Sequence, residues 1–257
     1  MTTLLDLDTS GSQAAQSASA VKTLKKALAL LEWVARAENP PTTGELAMLS
    51  CLSRPTTHRL VQTLIGAGFL QQHSDGRLAI GLGVLPLAAS VLDTNRLRTG
   101  ALPHLQVLAQ KANARVNLGI LYQQRVMILG GVEKPSLPGI HSRFGLTAPM
   151  HCSALGKAML AHLPADQVQA ILRDQPLIAR TPNTITSLPA LLAELDKTRE
   201  RGWSTEFRES SATSCCIGVA ILDGAAAISM SGRSLELLEK EIGPMLETAE
   251  LISHMLR

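Results

Sequence analysis

One short stretch, Cys51–Leu70, carries hydrogen-bonding side chains at a spacing that suits the edge of a nucleic-acid groove. Arg59, Gln62 and Thr63 fall on one side of a 3.6-residue period, with Thr56 on the flank. Leu60, Val61, Leu64 and Ile65 fall on the other. In a major groove an arginine can fork onto guanine and a glutamine onto adenine. A plain amphipathic surface helix shows the same pattern, so the face needs support from its neighbours. A second group of reactive types is His151, Cys152, Cys215 and Cys216. A thiol enzyme built on Cys216 or Cys152 with His151 as base requires nucleophile and base within hydrogen-bond reach. Zinc held by the same four residues would need a spacing that adjacent cysteines do not give. No G-x-S-x-G, H-E-x-x-H or phosphate-binding loop accompanies them. Neither a catalytic site, a metal site nor a cofactor is expected.

The elements that must position the polar face read in order. Ser53 is a reasonable N-cap and Pro55 suits a first helical turn. Gly66 and Gly68 end the helix. Upstream, Thr42 or Thr43 can cap a helix over 44–49, and Ser50–Ser53 is a turn of helix-turn-helix length. An earlier helix over 21–37 has Leu24, Leu28, Leu31 and Val34 at helical spacing and ends before Pro40-Pro41. Downstream, 69–73 and 77–80 flank Ser74-Asp75-Gly76, a hairpin signal. Three helices followed by a hairpin is the order of a winged helix-turn-helix, and that order favours DNA binding over the surface-helix alternative.

The chain has 257 residues and a net charge of +3. Residues 21–85 hold seven Lys or Arg against four acids, a surplus adequate for DNA binding by a dimer and too small for tight binding by a monomer. Four cysteines without a paired framework suit a reducing cytoplasm. No apolar run approaches the length of a membrane span, and residues 1–20, rich in Ser, Ala and Thr, read as a disordered arm without a basic leader region. Gly81-Leu-Gly-Val-Leu-Pro86 lacks the context of a dinucleotide site.

Beyond the hairpin, 87–99 reads as a connecting helix and 102–112 as a second helix after Pro103. Alternating Val116, Leu118 and Ile120, a Gln123-Gln124 turn, then Val126, Ile128 and Val132 read as paired strands, with a further extended piece at 139–144. Residues 149–160 run from loop to helix, and 166–173 and 188–201 are helical. Strands are expected at 203–207, 216–222 and 225–231, and one amphipathic helix from Leu235 to the end. The expected fold class is thus α/β (α+β) in two domains: a winged helix-turn-helix over 21–83, a linker helix over 84–100, and a mixed α/β domain with an antiparallel sheet over 101–257.

Three spaced motifs together resemble the IclR family of bacterial transcriptional regulators. The first is Leu52-Ser-Arg-Pro-Thr-Thr-His-Arg-Leu60 with Leu64 and Gly66-Ala-Gly68-Phe; the second is Pro149-Met-His151-Cys-Ser-Ala-Leu-Gly156-Lys-Ala158. The third is Arg201-Gly-Trp203 with Glu206, Glu209, Cys216 and Ala227-Ile-Ser-Met-Ser-Gly232. The resemblance implies a GAF-like effector-binding second domain, a homodimer or dimer of dimers, double-stranded operator DNA as partner, and control by a small organic acid of a catabolic pathway. It implies DNA contacts from Ser53, Arg54, Thr56, Thr57, His58, Arg59, Gln62 and Thr63, with Arg77 in the wing. It implies effector contacts from Ser153, Ala154 and Leu155 and, on the sheet, from Glu206, Cys216, Ser229 and Ser231. Backbone N–H groups at a helix start attract a carboxylate, and Ser229 and Ser231 share one strand face. Glu206 would repel an anion unless it is protonated or meets a ligand hydroxyl; a strand-end surface charge is its other reading. Cys216 reads first as a packed core thiol, His151 as a loop-holding residue, and Arg143 and Arg208 as surface cations that can neutralise a carboxylate. Pro55, the glycine-free Ser211–Cys215 loop and the short turn at Asp223-Gly224-Ala225 depart from the family pattern. Only six aromatic side chains are present, so few can stack on an aromatic effector.

Overall fold

Short apolar spacings interrupted by capping residues produce three short helices in the first part of the chain. The computed structural model describes residues 21–133, 144–173 and 175–257. The expected arm over 1–20, Arg143 and most of the extended piece at 139–144 lie outside these residues. Helix α1 spans Lys22–Arg36, α2 spans Thr43–Leu49 and α3 spans Arg54–Gly66. A capping box starts α2: Glu45 N–H donates to Thr42 Oγ1 at 3.3 Å and Thr42 N–H donates to Glu45 Oε2 at 2.7 Å. Leu30, Val34, Leu46, Leu60, Val61 and Leu64 form the core of this unit with Leu70 and Leu78 from the hairpin. The hairpin pairs β1 (Leu70–Gln72) with β2 (Leu78–Ile80) in antiparallel register. Gly68 and Gly76 adopt positive φ at its two bends, as glycine does without steric cost.

Helix α4 spans Val84–Thr94 and α5 spans Arg96–Ala112. The expected linker helix over 84–100 is therefore two helices, broken at Asn95, whose side chain accepts from Arg98 N–H at 2.9 Å and caps α5. The break expected at Pro103 does not occur; α5 runs through it. The two compact units divide between Val91 and Leu92, inside α4 rather than at its ends.

The second unit is built on a six-stranded antiparallel sheet in the order β5-β4-β3-β8-β7-β6. The strands are β3 (Arg115–Tyr122), β4 (Arg125–Val132), β5 (Thr147–Ala148), β6 (Ser204–Phe207), β7 (Cys215–Ile221) and β8 (Ala226–Gly232). Helices α6 (Ala154–Ala161), α7 (Ala165–Leu172) and α8 (Leu188–Arg201) intervene, and α9 (Leu235–Glu239) and α10 (Ile242–Leu256) follow. The single C-terminal helix expected from Leu235 is thus two, separated at Lys240 and Glu241. Alternation sorts the sheet residues. Val116, Leu118, Ile217, Val219, Ile228 and Met230 face a core with Leu105 and Leu108 of α5 and Met245 and Ile252 of α10. The opposite face receives α6, all eight of whose residues are buried. Small residues let α6 approach. A Cβ on Gly156 would stand 2.2 Å from Met150 O, and one on Gly218 would stand 2.6 Å from Ala154 O.

Candidate DNA interface and effector face

Ser53 caps α3, its Oγ accepting from Thr56 N–H at 3.4 Å. Ser53, Arg54, His58, Arg59, Gln62 and Thr63 are exposed, and Thr56 is half-buried. The apolar side of α3 is buried, which leaves its polar side exposed. Thr57 differs from these neighbours: it is fully buried, and its hydroxyl donates to Ser53 O at 3.2 Å, so it holds the helix start. Arg77 is exposed but already engaged. Its Nη1 donates to Pro40 O at 2.6 Å, and Glu45 and Asp75 carboxylates lie at 3.9 and 3.7 Å. It ties the wing to the start of α2.

On the α6 side of the sheet, register lines up two rows of residues, polar at every position but Gly218. One row runs Arg115–Ser231–Cys216–Glu206 across β3, β8, β7 and β6; the next runs Asn117–Ser229–Gly218–Ser204. Arg115, Asn117, Ser204, Glu206, Ser229 and Ser231 are all buried. Directly opposed residues in an antiparallel pair share a face, and two contacts bear this out: Cys216 Sγ donates to Ser231 Oγ at 3.2 Å, and Ser204 Oγ donates to Ala154 O at 2.6 Å. Ser229 and Ser231 do share a face. Ala154 and Leu155 are buried against it, Leu155 beside Gly119. The Ser153 hydroxyl is committed to α6, accepting from Gly156 N–H at 3.1 Å and donating to Pro149 O at 2.9 Å.

Glu206 is not a surface charge. It is completely buried, with Oε1 accepting from the backbone N–H groups of Glu209 and Ser210. Glu209 is buried as well and accepts from Lys157 Nζ at 2.6 Å, tying α6 to the loop after β6. Burial pushes the Glu209 carboxyl above its ordinary range, against the pull of Lys157. The core thiol is Cys215 rather than Cys216: Cys215 packs with Ile217 and Met230, whereas Cys216 is half-buried on the polar face. Burial pushes Cys152 up to about 11 and Cys216 higher still, the reverse of what a nucleophile needs. His151 is buried with Nε2 3.3 Å from Ile178 O, and burial lowers its pKa. Arg208 is exposed and stacks over Phe207 at 5.3 Å. A cleft at the far end of α6, lined by His162, Arg199, Asp223 and Arg257 among others, contains none of these residues.

Comparison with known proteins decides the family. Residues 89–254 match the model of the bacterial transcriptional regulator IclR C-terminal region, and residues 23–74 match the IclR helix-turn-helix domain. The chain belongs to the IclR family of bacterial transcriptional regulators. It is 34% identical to the transcriptional repressor IclR of Escherichia coli K12 over 82% of this chain and 80% of that protein. It is 32% identical to the acetate operon repressor of Salmonella typhimurium LT2, over 88% and 86%. Among solved structures, an IclR homologue from Microbacterium hydrocarbonoxydans complexed with 4-hydroxybenzoate superposes with a TM-score of 0.78 at 26% identity, covering 91% of this chain and 99% of that one. As an IclR-family member the chain is a regulator and not an enzyme, in keeping with its raised thiols.

Four residues of the polar face carried no role in the sequence reading. Lys157 and Glu209 stood inside the IclR motifs, but 52 residues of chain separate them, and their contact depends on α6 lying over the sheet. Arg115 and Asn117 alternate with Val116 and Leu118, so they occupy the polar side of a strand. Both are buried there, which strand alternation alone does not indicate.

Proposed function

We propose that this chain is a transcriptional repressor that binds double-stranded operator DNA through the exposed face of α3 and releases or tightens its hold when a small organic acid occupies the polar sheet face. The observation that carries the reading is that face: six buried polar side chains, Arg115, Asn117, Ser204, Glu206, Ser229 and Ser231, on one side of the sheet, in a unit separate from the helix-turn-helix. Most of these groups are paired within the protein, but Glu206 Oε2, Glu209 Oε2 and Arg115 Nη2 are buried without a hydrogen-bond partner among the described residues; such groups are costly to leave unmet, and a bound organic acid can meet them. Repression is supported by the names of the E. coli and Salmonella relatives, and an organic-acid effector by the homologue complexed with 4-hydroxybenzoate. Ser53, Arg54, Thr56, His58, Arg59, Gln62 and Thr63 supply the DNA contacts. Ala154, Leu155, Cys216, Ser229 and Ser231 line the effector face, with Ser153 holding the helix start.

The same reading makes the working form a homodimer, paired further into a dimer of dimers. Helix α4 has no buried residue, and Leu85, Leu87 and Val91 on it are more than half exposed, as are Leu24 and Leu28 on α1. Apolar helix faces of this kind mark association surfaces. The setting is the cytoplasm; no described helix is long and apolar enough to cross a membrane. The test is selection of operator sequences from random duplex DNA, followed by anisotropy titration with and without 4-hydroxybenzoate and aliphatic carboxylates. Sequence-specific binding that no compound shifts would remove the effector half of the proposal. Absence of specific binding would remove the DNA half.

A further inference from the structure

We propose that the effector face has two unlike ends, Arg115 receiving the carboxylate of the ligand and the Glu206–Glu209 pair receiving a hydroxyl, so that the effector is a hydroxy acid. This deepens the effector reading above and rests on it. Arg115 is 1% exposed, and a buried guanidinium is costly unless paired. Its counter-ion Glu133 is 43% exposed and offers one oxygen, Oε2, to both Nε and Nη2 at 2.9 Å. Nε makes a hydrogen bond there; Nη2 is buried and out of line for one. A guanidinium presents five donors in a planar fork that matches a carboxylate. Arg115 thus retains donor capacity at a buried position.

The other end has the opposite need. Glu206 Oε1 is satisfied by two backbone N–H groups, and Glu209 Oε1 by Lys157 and, at 3.4 Å, Phe207 N–H. Their second oxygens, Glu206 Oε2 and Glu209 Oε2, are buried without a hydrogen-bond partner. Among the described residues Lys157 pairs with Glu209 alone, so a buried carboxylate at Glu206 has no paired cation, and this end repels an anion and accepts a donor. An orphaned buried acceptor costs more than a made hydrogen bond gains, so a ligand hydroxyl placed here is rewarded. Arg115 and Glu206 stand in one register row three strand spacings apart, which sets the Cα separation at about 14 Å. Ser231 and Cys216 lie between them. A compact molecule with its carboxylate and hydroxyl at opposite ends fits this polarity; a simple carboxylate leaves the acidic end unserved.

The experiment uses the full-length protein and matched pairs of probes whose hydroxyl lies at the far end from the carboxylate: 4-hydroxybenzoate with benzoate, and 4-hydroxybutyrate with butyrate, titrated by calorimetry and thermal shift. At least one hydroxylated member is expected to bind about tenfold or more tightly than its partner, as for one charge-assisted hydrogen bond. Arg115→Gln should weaken binding of both members of that pair, and Arg115→Lys, which keeps the buried charge, should recover part of the loss. Glu206→Gln should reduce the preference for the hydroxyl, lowering the ratio of the two affinities at least threefold. Circular dichroism confirms that each variant is folded. Equal binding within every pair overturns this proposal and leaves the organic-acid reading standing. Binding of phenol as tight as that of 4-hydroxybenzoate also overturns it, by removing the role of Arg115. Failure of all four acids to bind overturns both readings together.

Discussion

Replacing Lys157 by Met tests how the second unit is held together around its polar face. Lys157 is 1% exposed on α6, and its Nζ lies 2.6 Å from Glu209 Oε1 on the loop after β6. Methionine fills the same volume but leaves Glu209 buried without its cation. Breaking a buried pair in this way costs about 3–5 kcal/mol. For a unit of this size each kcal/mol moves the midpoint by roughly 2–4 °C, so the variant should melt roughly 6–20 °C below wild type. The pH dependence has a definite sign. Burial already raises the Glu209 pKa from 4.5, and Lys157 opposes that rise. Removing Lys157 raises it further, so the folded state holds its proton more tightly than the unfolded chain. Stability is then greatest below pH 4.5 and falls as pH rises through the folded pKa. Acidification from pH 8 to pH 5 should therefore recover more stability in Lys157→Met than in wild type. The double variant with Glu209→Gln should regain at least half of the loss, since no buried charge is left unpaired. The assay is urea unfolding followed by Trp203 fluorescence in a Trp33→Phe background. A loss below about 1 kcal/mol at pH 7, or one that does not change with pH, would refute the account, because a buried unpaired carboxylate cannot be that cheap.

Other outcomes follow from the same geometry. Arg59→Ala should weaken specific operator binding by roughly 1–3 kcal/mol, measured by anisotropy against the selected sequence; unchanged affinity would remove Arg59 from the interface. Thr57→Val should leave operator affinity within threefold, because the side chain faces the core and bonds Ser53 O; a larger loss would return it to the contact set. Gly156→Ala places a Cβ 2.2 Å from Met150 O. Although alanine favours a helix by about 1 kcal/mol, the clash should dominate and lower stability by about 3 kcal/mol in urea titration.

The helix-turn-helix was legible because its signals are local. Thr42 and Glu45 form a reciprocal cap across three residues, and Ser53, Pro55 and Gly68 mark the ends of α3 by their own conformational preferences. The burial of Thr57 was not legible, for the same reason. The residue sits between the polar and apolar sides of α3, and its sequence position does not say which side α1 and the hairpin will cover. In the second unit the strands were readable from alternation, yet the helix breaks at Asn95 and at Lys240–Glu241 were not. Asn95 caps only because α5 restarts there, and apolar spacing continues across both breaks.

The polar face shows where sequence stops. Taken alone, the chain determined its family, the helices and hairpin of its first unit, and that Ser229 and Ser231 share a side of β8. Each of these depends on capping, turn chemistry or period, all set by near neighbours. Only the tertiary structure decided that Cys215 rather than Cys216 enters the core, that Glu206 is buried, and that Lys157 meets Glu209. Only the pairing of β3 with β8 brings Arg115 into line with Ser231, Cys216 and Glu206. Burial and pairing between distant segments come from which sheet face α6 covers, and no local spacing encodes that.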